Sequence, residues 1–208
     1  MDLAEYSSQP ELFDELLTHQ GRARPGSAKL AQFLRRASSG QLSLKRESAD
    51  LAIKTLGISF TIYSEGKNID RQWPFDLVPR LIRDSEWKVI ELGLKQRLKA
   101  LNLFITDVYN EQLIIKDGVI PDDMISTSKD FRSECVGMRP KFDVWAHICG
   151  TDLIRDRDGT IYVLEDNLRV PSGVSYMLEN RNVSKRILPE LLDRHNVLPM
   201  DDYPSQLF

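Results

Sequence analysis

The sequence is poor in cysteine and histidine, the residues that build disulfide frameworks and zinc sites. Its 208 residues include two cysteines, Cys135 and Cys149, and three histidines. Two thiols cannot form the several bridges of a small secreted domain, and the repeated Cys and His spacing of a structural zinc site does not occur. Both cysteines are interpreted as buried free thiols, which behave as small hydrophobic residues.

A long apolar run and an excess of positive charge are also missing. No apolar segment reaches the roughly 18 to 20 residues of a membrane span, and the start MDLAEYSSQPE lacks the charged-then-apolar order of a signal peptide. The formal net charge is −3, which gives the chain no general attraction for nucleic acid or anionic lipid. We expect a cytoplasmic protein with neither nucleic-acid nor membrane partners.

Helical patterns occupy the first part of the chain. Up to Gly57, apolar residues recur at helical spacing between linkers, so residues 1–57 are predicted to form a helical N-terminal region and residues 58–208 a second domain. The strongest helical pattern starts near Ser85 and predicts a core helix of roughly 24 residues. Its apolar positions are Trp87, Ile90, Leu94, Leu98, Leu101, Ile105 and Val108.

From Phe142 onward the apolar residues alternate, as they do in strands. The segments FDVWAHI, TDLIRD and TIYVLED are predicted strands, and a last helix is predicted from about Tyr176 to Arg194. Together with the helical first region, this pattern predicts an α+β fold in which an antiparallel β-hairpin sheet packs with helices.

The dipeptide Asp158-Gly159 predicts a tight hairpin between the last two strands, because a two-residue type I′ turn needs positive φ at both central positions. With this turn, Asp152 lies directly opposite Glu165, and Asn167 falls on the same face of the pleat. Ile161 and Val163 are predicted on the same face as the acids, and the opposite face is apolar too, so the sheet is predicted to be covered on both sides. Two carboxylates there need a counter-charge, and Mg²⁺, which binds carboxylate and amide oxygens together with phosphates, would supply it.

The alternative for these residues is that the acids are solvated at a sheet edge and that Asn167 begins a loop. The following residues, LRVPSGVSY, contain Pro171, Ser172 and Gly173, which form a turn before a helix. Backbone N–H groups at the start of a helix attract anions, so Gly173 and its neighbours are predicted to contact a phosphate or a carboxylate. A metal site next to an anion site suits a phosphate or carboxylate substrate.

Several longer segments resemble the circularly permuted ATP-grasp family, relatives of glutathionylspermidine synthase. They are QWPFDL at Gln72–Leu77, VYNEQ from Val108, DGVIP from Asp117, and YVLEDNLRVPSGVSYMLENR at Tyr162–Arg181. The resemblance implies a partial ATP-grasp-like fold in which Asp152, Glu165 and Asn167 bind Mg²⁺. It also implies an ATP-dependent ligase that phosphorylates a small-molecule or peptide carboxylate, so that an amine or a thiol attacks the acyl phosphate.

The same resemblance implies roles for residues around the metal site. Arg169 and Ser172 would act as catalytic residues that hold the transferred phosphoryl or acyl group, because arginine pairs with oxyanions through two hydrogen bonds. The alternative for Arg169 is a surface loop residue. Arg71 and Arg80, which flank WPFDLVP, are candidates for binding the cofactor or an acidic substrate, with structural salt bridges as their alternative.

Length sets this chain apart from the family it resembles. Relatives in the permuted family run to more than twice this size, and the eleven glycines form no G-x-G-x-x-G or G-x-x-x-x-G-K-[ST] phosphate loop. The chain is therefore predicted to be the N-terminal portion of a ligase, truncated or split, that binds ATP only with a complementing polypeptide. Two other functions stay open: a non-catalytic module that binds anions or a partner, and a metal-dependent hydrolase assisted by His147.

Overall fold

A computed structural model describes residues 6, 9, 11–64 and 67–207 of the chain. These residues form two compact units that alternate along the sequence. The first unit contains the described residues up to Arg83 together with Arg155–Thr160 and the residues from Ser172 onward. The second unit contains Asp84–Ile154 and Ile161–Pro171.

The described elements mix helices with short antiparallel strands, in agreement with the predicted α+β class. In chain order they are α1 (Ala28–Arg36), α2 (Ser39–Leu56), β1 (Ser59–Ser64), β2 (Lys67–Gln72), α3 (Asp84–Tyr109), α4 (Leu113–Lys116), α5 (Asp122–Ser126), β3 (Gly150–Arg155), β4 (Ile161–Asn167), α6 (Gly173–Ile187) and α7 (Pro189–His195). Strands β1 and β2 form one two-stranded sheet, and β3 and β4 form another. Within the described ranges, no helix is long and apolar enough to cross a membrane.

Local sequence signals delimit helix α2. Ser38 and Gln41 form a capping box, in which the Gln41 N–H donates to the Ser38 hydroxyl oxygen at 3.2 Å and the Ser38 N–H donates to the Gln41 side-chain oxygen at 2.9 Å. At the other end, Gly57 takes φ 66, a left-handed conformation that costs glycine less than other residues. The helix end predicted at Gly57 is confirmed, whereas a domain boundary after it stays a prediction.

Two clusters of buried apolar side chains form the core of the first unit. The larger cluster consists of Leu30, Leu34, Leu77, Leu188 and Leu191. The second cluster joins α2 to α6 through Ala49, Ile53 and Val183. Ile53 and Val183 are 0% and 1% exposed, so a helix that precedes residue 57 shares its core with a helix near the end of the chain.

The segment predicted as one last helix contains two. Helix α6 ends at Ile187 and α7 begins at Pro189. Proline has no N–H to continue the helical hydrogen bonds, and it disfavours a helical conformation in the residue before it. Leu188 accordingly has φ −130 and ψ 47, and the break allows α7 to pack against α1.

Ion pairs around Glu15 fix the N-terminal segment of the first unit. Glu15 accepts hydrogen bonds from Arg80 Nε at 2.8 Å and from Arg155 Nε at 2.7 Å. Arg80 therefore makes a structural salt bridge, which was the alternative predicted for it. Its contact with a ligand stays a prediction. The hydrogen bond from Arg80 is the largest cause that holds the pKa of Glu15 below its usual value, against the opposing effect of burial.

Replacing Glu15 with glutamine is expected to destabilise the protein by about 1 to 2 kcal/mol at about pH 7. Folding favours the ionised form, so the contribution of Glu15 is complete above its unfolded pKa, near 4.5. That contribution is lost as the pH falls through the lower folded pKa. Urea denaturation at about pH 7 and about pH 3 measures the change, and the difference between wild type and Glu15→Gln should shrink at the lower pH.

The exposed Glu11 provides the control for this experiment, because Glu11→Gln removes the same charge from the same segment. An equal difference between wild type and Glu15→Gln at both pH values would contradict the role of the ionised carboxylate.

Helix α3 is the longest of the described elements, with 26 residues, and confirms the helix predicted from Ser85, but its predicted core positions are mostly half-buried rather than buried. Two of its polar side chains hold the segment FDVWAHI. Asn102 Oδ1 accepts the N–H groups of Trp145 at 2.7 Å and Ala146 at 3.2 Å, and Thr106 Oγ1 accepts the Trp145 indole N–H at 2.9 Å. The strand predicted there is wrong, because these backbone N–H groups bond to a helix side chain rather than to a neighbouring strand.

The two cysteines lie in the second unit. Both are free, as predicted, but they are half-buried rather than buried. Burial raises the pKa of the Cys149 thiol, and the negative charge of Asp166 adds to the rise. The thiol therefore stays protonated at neutral pH and is a poor nucleophile.

Candidate functional site

The turn between β3 and β4 has three residues, 157–159, and not the two that were predicted. The Asp156 N–H donates to Thr160 O at 2.9 Å, and the Gly159 N–H donates to Asp156 O at 2.9 Å. The Asp158 side chain accepts the Thr160 N–H at 2.8 Å, and Gly159 has φ 89. These features form a turn closed by a glycine bulge, which the Asp-Gly dipeptide also favours.

At the other end of the hairpin lies the mouth, defined as Gly150–Asp152 and Glu165–Asn167. Thr151 Oγ1 donates to Asp166 Oδ1 at 3.0 Å, and a Cβ placed on Gly150 would lie 3.7 Å from Asn167 Cβ. The spacing of these two neighbouring pairs agrees with an arrangement in which Asp152 lies opposite Glu165, which stays a prediction.

Exposure separates the mouth into two faces. The exposed side chains of the mouth are those of Asp152, Glu165 and Asn167, and the half-buried ones are those of Thr151 and Asp166. Leu164 is also exposed, at 67%. The successive residues Leu164 and Glu165 are therefore both exposed, which interrupts the alternation of exposed and half-buried side chains along β4. This interruption indicates a β-bulge at Leu164 and Glu165.

The prediction that the hairpin is covered on both faces is wrong. Among the described residues, β3 and β4 pair only with each other, and Ile154, Tyr162 and Leu164 are 52%, 51% and 67% exposed. Ile161 and Val163 are half-buried, so they lie on the face opposite to the acids and not beside them as predicted. The bulge accounts for the difference, because an extra residue moves the following side chains to the other face.

The three exposed side chains of the mouth supply two carboxylates and one amide. Asn167 Nδ2 donates to Glu165 Oε1 at 3.2 Å, so these two side chains lie side by side. Adjacent ligand oxygens around an octahedral Mg²⁺ are roughly 3 Å apart. The separation between the Asn167 amide and the Glu165 carboxylate suits two such ligands when the amide turns so that its oxygen, rather than its nitrogen, faces the cation. The described residues contain no group of three or more His, Cys, Asp or Glu side chains that could hold a metal. A cation bound here would therefore also need the amide, water and substrate oxygens.

Asp166 lies between two of these residues in sequence but on the other face. Its side chain is 9% exposed, and it accepts hydrogen bonds from Arg97 Nε at 2.7 Å and from the Thr151 hydroxyl at 3.0 Å. Arg97, Thr151 and Asp166 were not predicted from the sequence as parts of the site. The alternation of side chains along residues 165–167 could have placed Asp166 on the face opposite to its two neighbours. It could not have identified Arg97 of α3 as the partner of Asp166.

The turn that follows β4 packs against Gly150. A Cβ placed on Gly150 would lie 2.8 Å from Pro171 Cβ, closer than real Cβ atoms approach, so only glycine leaves room for the turn. Val170 has φ 48 and is 88% exposed, and a β-branched residue rarely adopts this conformation. Arg169 is exposed in the same turn, where a ligand can reach it.

The other predicted site residues are distributed over both units. Ser172 and Gly173 are exposed at the start of α6 in the first unit, and the Ser172 side chain makes no capping hydrogen bond. Arg71, exposed on β2, and Arg80 also belong to the first unit. His147 is exposed in a loop of the second unit, the unit that contains the predicted metal ligands.

Residues 79–208 match the family described as circularly permuted ATP-grasp type 2. The chain belongs to this family. The match confirms the ATP-grasp and circularly permuted assignments that the sequence segments predicted. ATP-grasp proteins in general use ATP and Mg²⁺, and the hairpin mouth is the candidate site for the Mg²⁺ ion.

Proteins similar to this ATP-grasp chain occur in several organisms. An uncharacterized protein of Synechocystis sp. is 45% identical over 195 residues, which are 94% of this chain and 40% of that protein. An uncharacterized protein of Mycobacterium tuberculosis is 40% identical over 94% of this chain and 35% of its own length. A Frankia casuarinae protein, named as a candidate glutamate–cysteine ligase, is 34% identical over 96% of this chain and 23% of its own length. The chain thus spans 40% or less of these relatives.

Proposed function

We propose that this ATP-grasp chain contributes the magnesium-binding part of an ATP-dependent ligase that joins a carboxylate to an amine or a thiol through an acyl phosphate. The observation that carries the proposal is the common exposed face of Asp152, Glu165 and Asn167 at the hairpin mouth. Membership of the ATP-grasp family and the ligase name of a relative support it.

In the proposed site, Asp152 and Glu165 supply anionic oxygens and Asn167 supplies a neutral one. This oxygen-only set suits Mg²⁺ and leaves positions for phosphate and water. When bound, Mg²⁺ would neutralise charge on the transferred phosphoryl group. The exposed guanidinium of Arg169, two residues after Asn167, would pair with an oxyanion of the phosphoryl or acyl group.

The start of α6, which belongs to the first unit, is proposed separately as an anion contact. The first N–H groups of a helix lack partners within the helix, and α6, with 15 residues, begins at Gly173. The Ser172 hydroxyl makes no capping hydrogen bond and would donate to an anionic oxygen. Arg71 and Arg80 stay proposed contacts for the nucleotide or an acidic substrate, and the ion pair of Arg80 with Glu15 is a competing role.

The proposal extends to the partners and the origin of the chain. We regard it as the N-terminal portion of a longer cytoplasmic enzyme related to glutathionylspermidine synthase, with small-molecule or peptide carboxylate and amine substrates. A complementing polypeptide would supply the rest of the nucleotide site. The Frankia relative is named for glutamate and cysteine, but this chain covers 23% of it. Its name therefore supports ligation without identifying the acyl substrate.

Removing either carboxylate of the mouth is expected to weaken the binding of Mn²⁺, a paramagnetic substitute for Mg²⁺. Asp152→Asn and Glu165→Gln keep the size of the side chain but remove an anionic ligand. The loss of an outer-shell partner already costs roughly 10-fold or more in metal affinity, so the loss of a ligand should cost at least about 10-fold. Titration followed by the EPR signal of free Mn²⁺ measures the dissociation constants.

The matched control is Asp117→Asn, which removes the same charge from an exposed position after α4. This variant should bind Mn²⁺ as the wild type does. If both mouth variants bind Mn²⁺ as tightly as the wild type, the proposed magnesium site is wrong.

A second arm of the experiment tests the ligase part. The chain is mixed with the portion of the Synechocystis relative that lies outside the 195 matched residues, and ATP binding in the presence of Mg²⁺ is measured by calorimetry. Binding should appear in the mixture and be lost with Glu165→Gln. ATP binding that does not depend on Glu165 would contradict the proposal.

A partner-binding module is the second candidate function, and one observation favours it. Among the described apolar residues of the second unit, only Val108 is buried. Val89, Leu92, Phe142 and Val170 are 72%, 69%, 80% and 88% exposed, and exposed apolar surface often marks a contact with another protein or segment. Association with the complementing polypeptide without any ATP binding would support this module over the ligase.

A further inference from the structure

Arg97, Thr151 and Asp166, the bracing triad, meet on the half-buried face of the hairpin mouth, opposite to the candidate metal ligands. We infer that Arg97, acting through Asp166 and Thr151, is a positioning residue that holds Glu165 and Asn167 in a metal-binding arrangement. The inference rests on the magnesium site proposed above. It adds residues that would touch neither the metal nor the substrate.

Each member of the bracing triad comes from a different element of the second unit. Arg97 belongs to α3, Thr151 to β3 and Asp166 to β4. Arg97 Nε lies 2.7 Å from Asp166 Oδ2, and the Thr151 hydroxyl lies 3.0 Å from Asp166 Oδ1, so both carboxylate oxygens accept a hydrogen bond. The Asp166 side chain is 9% exposed, and reduced contact with water strengthens these charge-assisted bonds.

The position of Asp166 determines where its two neighbours lie. Glu165 and Asn167 are adjacent to Asp166 in sequence, and the pleat directs their side chains to the opposite face. A two-stranded ribbon is marginally stable by itself, and the bulge at Leu164 and Glu165 interrupts its pairing beside the ligands. The bonds of Asp166 to α3 and β3 therefore fix the backbone where strand pairing is weakest.

The charges of the bracing triad allow positioning to be separated from electrostatics. Arg97 carries a positive charge that offsets the negative charge of Asp166, and Thr151 is neutral. Removal of Arg97 leaves one more net negative charge near the mouth, which by Coulomb attraction alone would strengthen cation binding. Loss of positioning would weaken it, so the two effects have opposite signs.

Arg97→Gln is expected to weaken Mn²⁺ binding by about 10-fold, as changes in the outer shell of metal sites do, although the charge change favours binding. Arg97→Lys keeps the charge and one donor and should retain most of the affinity. EPR titration measures the dissociation constants. The thermal unfolding midpoint of Arg97→Gln should fall by about 2 to 4 °C or less, because Arg97 is 46% exposed and exposed ion pairs contribute little to stability.

Thr151→Val provides a test without any change of charge. It keeps the shape of the side chain but removes the hydroxyl that donates to Asp166, so we expect Mn²⁺ affinity to fall by about 10-fold. Thr151→Ser retains the hydroxyl and should restore binding.

The possible outcomes separate this inference from the proposed function. Unchanged or tighter Mn²⁺ binding in Arg97→Gln and Thr151→Val would overturn the positioning role while the metal site stands. No measurable binding by the wild-type chain would instead reject the magnesium site. Weaker binding accompanied by a large fall in the unfolding midpoint would show that Arg97 supports the fold in general, and would also overturn the inference.

Discussion

Replacing Trp73 with alanine is expected to lower the free energy of unfolding by about 3 to 5 kcal/mol. The Trp73 indole stacks on Tyr176 with ring centroids 4.1 Å apart, and it meets Phe60 edge to face at 5.7 Å. Its N–H donates to Asn180 Oδ1 at 2.8 Å. Alanine would therefore open a cavity and also leave a partly buried amide oxygen without its donor.

Urea denaturation followed by far-ultraviolet circular dichroism measures this loss. Trp87→Ala is the matched control, since Trp87 lies near the start of α3 and is 42% exposed. Trp73→Phe keeps an aromatic ring but removes the hydrogen bond, so it should cost less than Trp73→Ala. Equal stability of Trp73→Ala and Trp87→Ala would show that Trp73 does not anchor the first unit.

Truncation of Ile53 is expected to produce the second large loss of stability. Ile53→Ala should cost about 2 to 5 kcal/mol, and Ile53→Val about 0.5 to 1.5 kcal/mol. Ile53 is 0% exposed and packs with Ala49 and Val183, which joins α2 to α6. Because the surrounding helices relax only partly around a deleted side chain, the cavity adds to the lost transfer free energy.

Denaturation and amide hydrogen exchange together test the effect of Ile53→Ala. Leu51→Ala is the control in the same helix, since Leu51 is 65% exposed and its truncation should cost little. We expect Ile53→Ala to lower protection in both α2 and α6. Lower protection in α2 alone would favour the predicted separate region of residues 1–57.

Patterns that repeat along one element could be predicted from the sequence. The apolar positions of α3 recur every three or four residues, and the helix extends over Asp84–Tyr109. Alternation in TDLIRD and TIYVLED likewise predicted β3 and β4. These signals are reliable because they depend only on the backbone geometry of a single element and on the burial of one of its faces. The family was predicted from extended segments, and the match of residues 79–208 confirms it.

Contacts between distant residues could not be predicted in the same way. FDVWAHI alternates like a strand, but Asn102 of α3 binds its backbone N–H groups. Asp166 pairs with Arg97, 69 residues earlier in the chain, and a polar residue on a helix carries no local mark of such a partner. The turn at Asp158-Gly159 was misassigned because the same dipeptide fits a two-residue turn and a three-residue turn with a glycine bulge.

The contact between Gly150 and Pro171 determines how much of the chain must accompany this hairpin when it is transferred to another scaffold. The two residues are 21 positions apart, yet a Cβ at position 150 would overlap the ring of Pro171. A graft that ends with β4 would keep the acids and discard the proline ring that packs against Gly150. The smallest portable unit therefore extends through Pro171, with both residues copied as a pair.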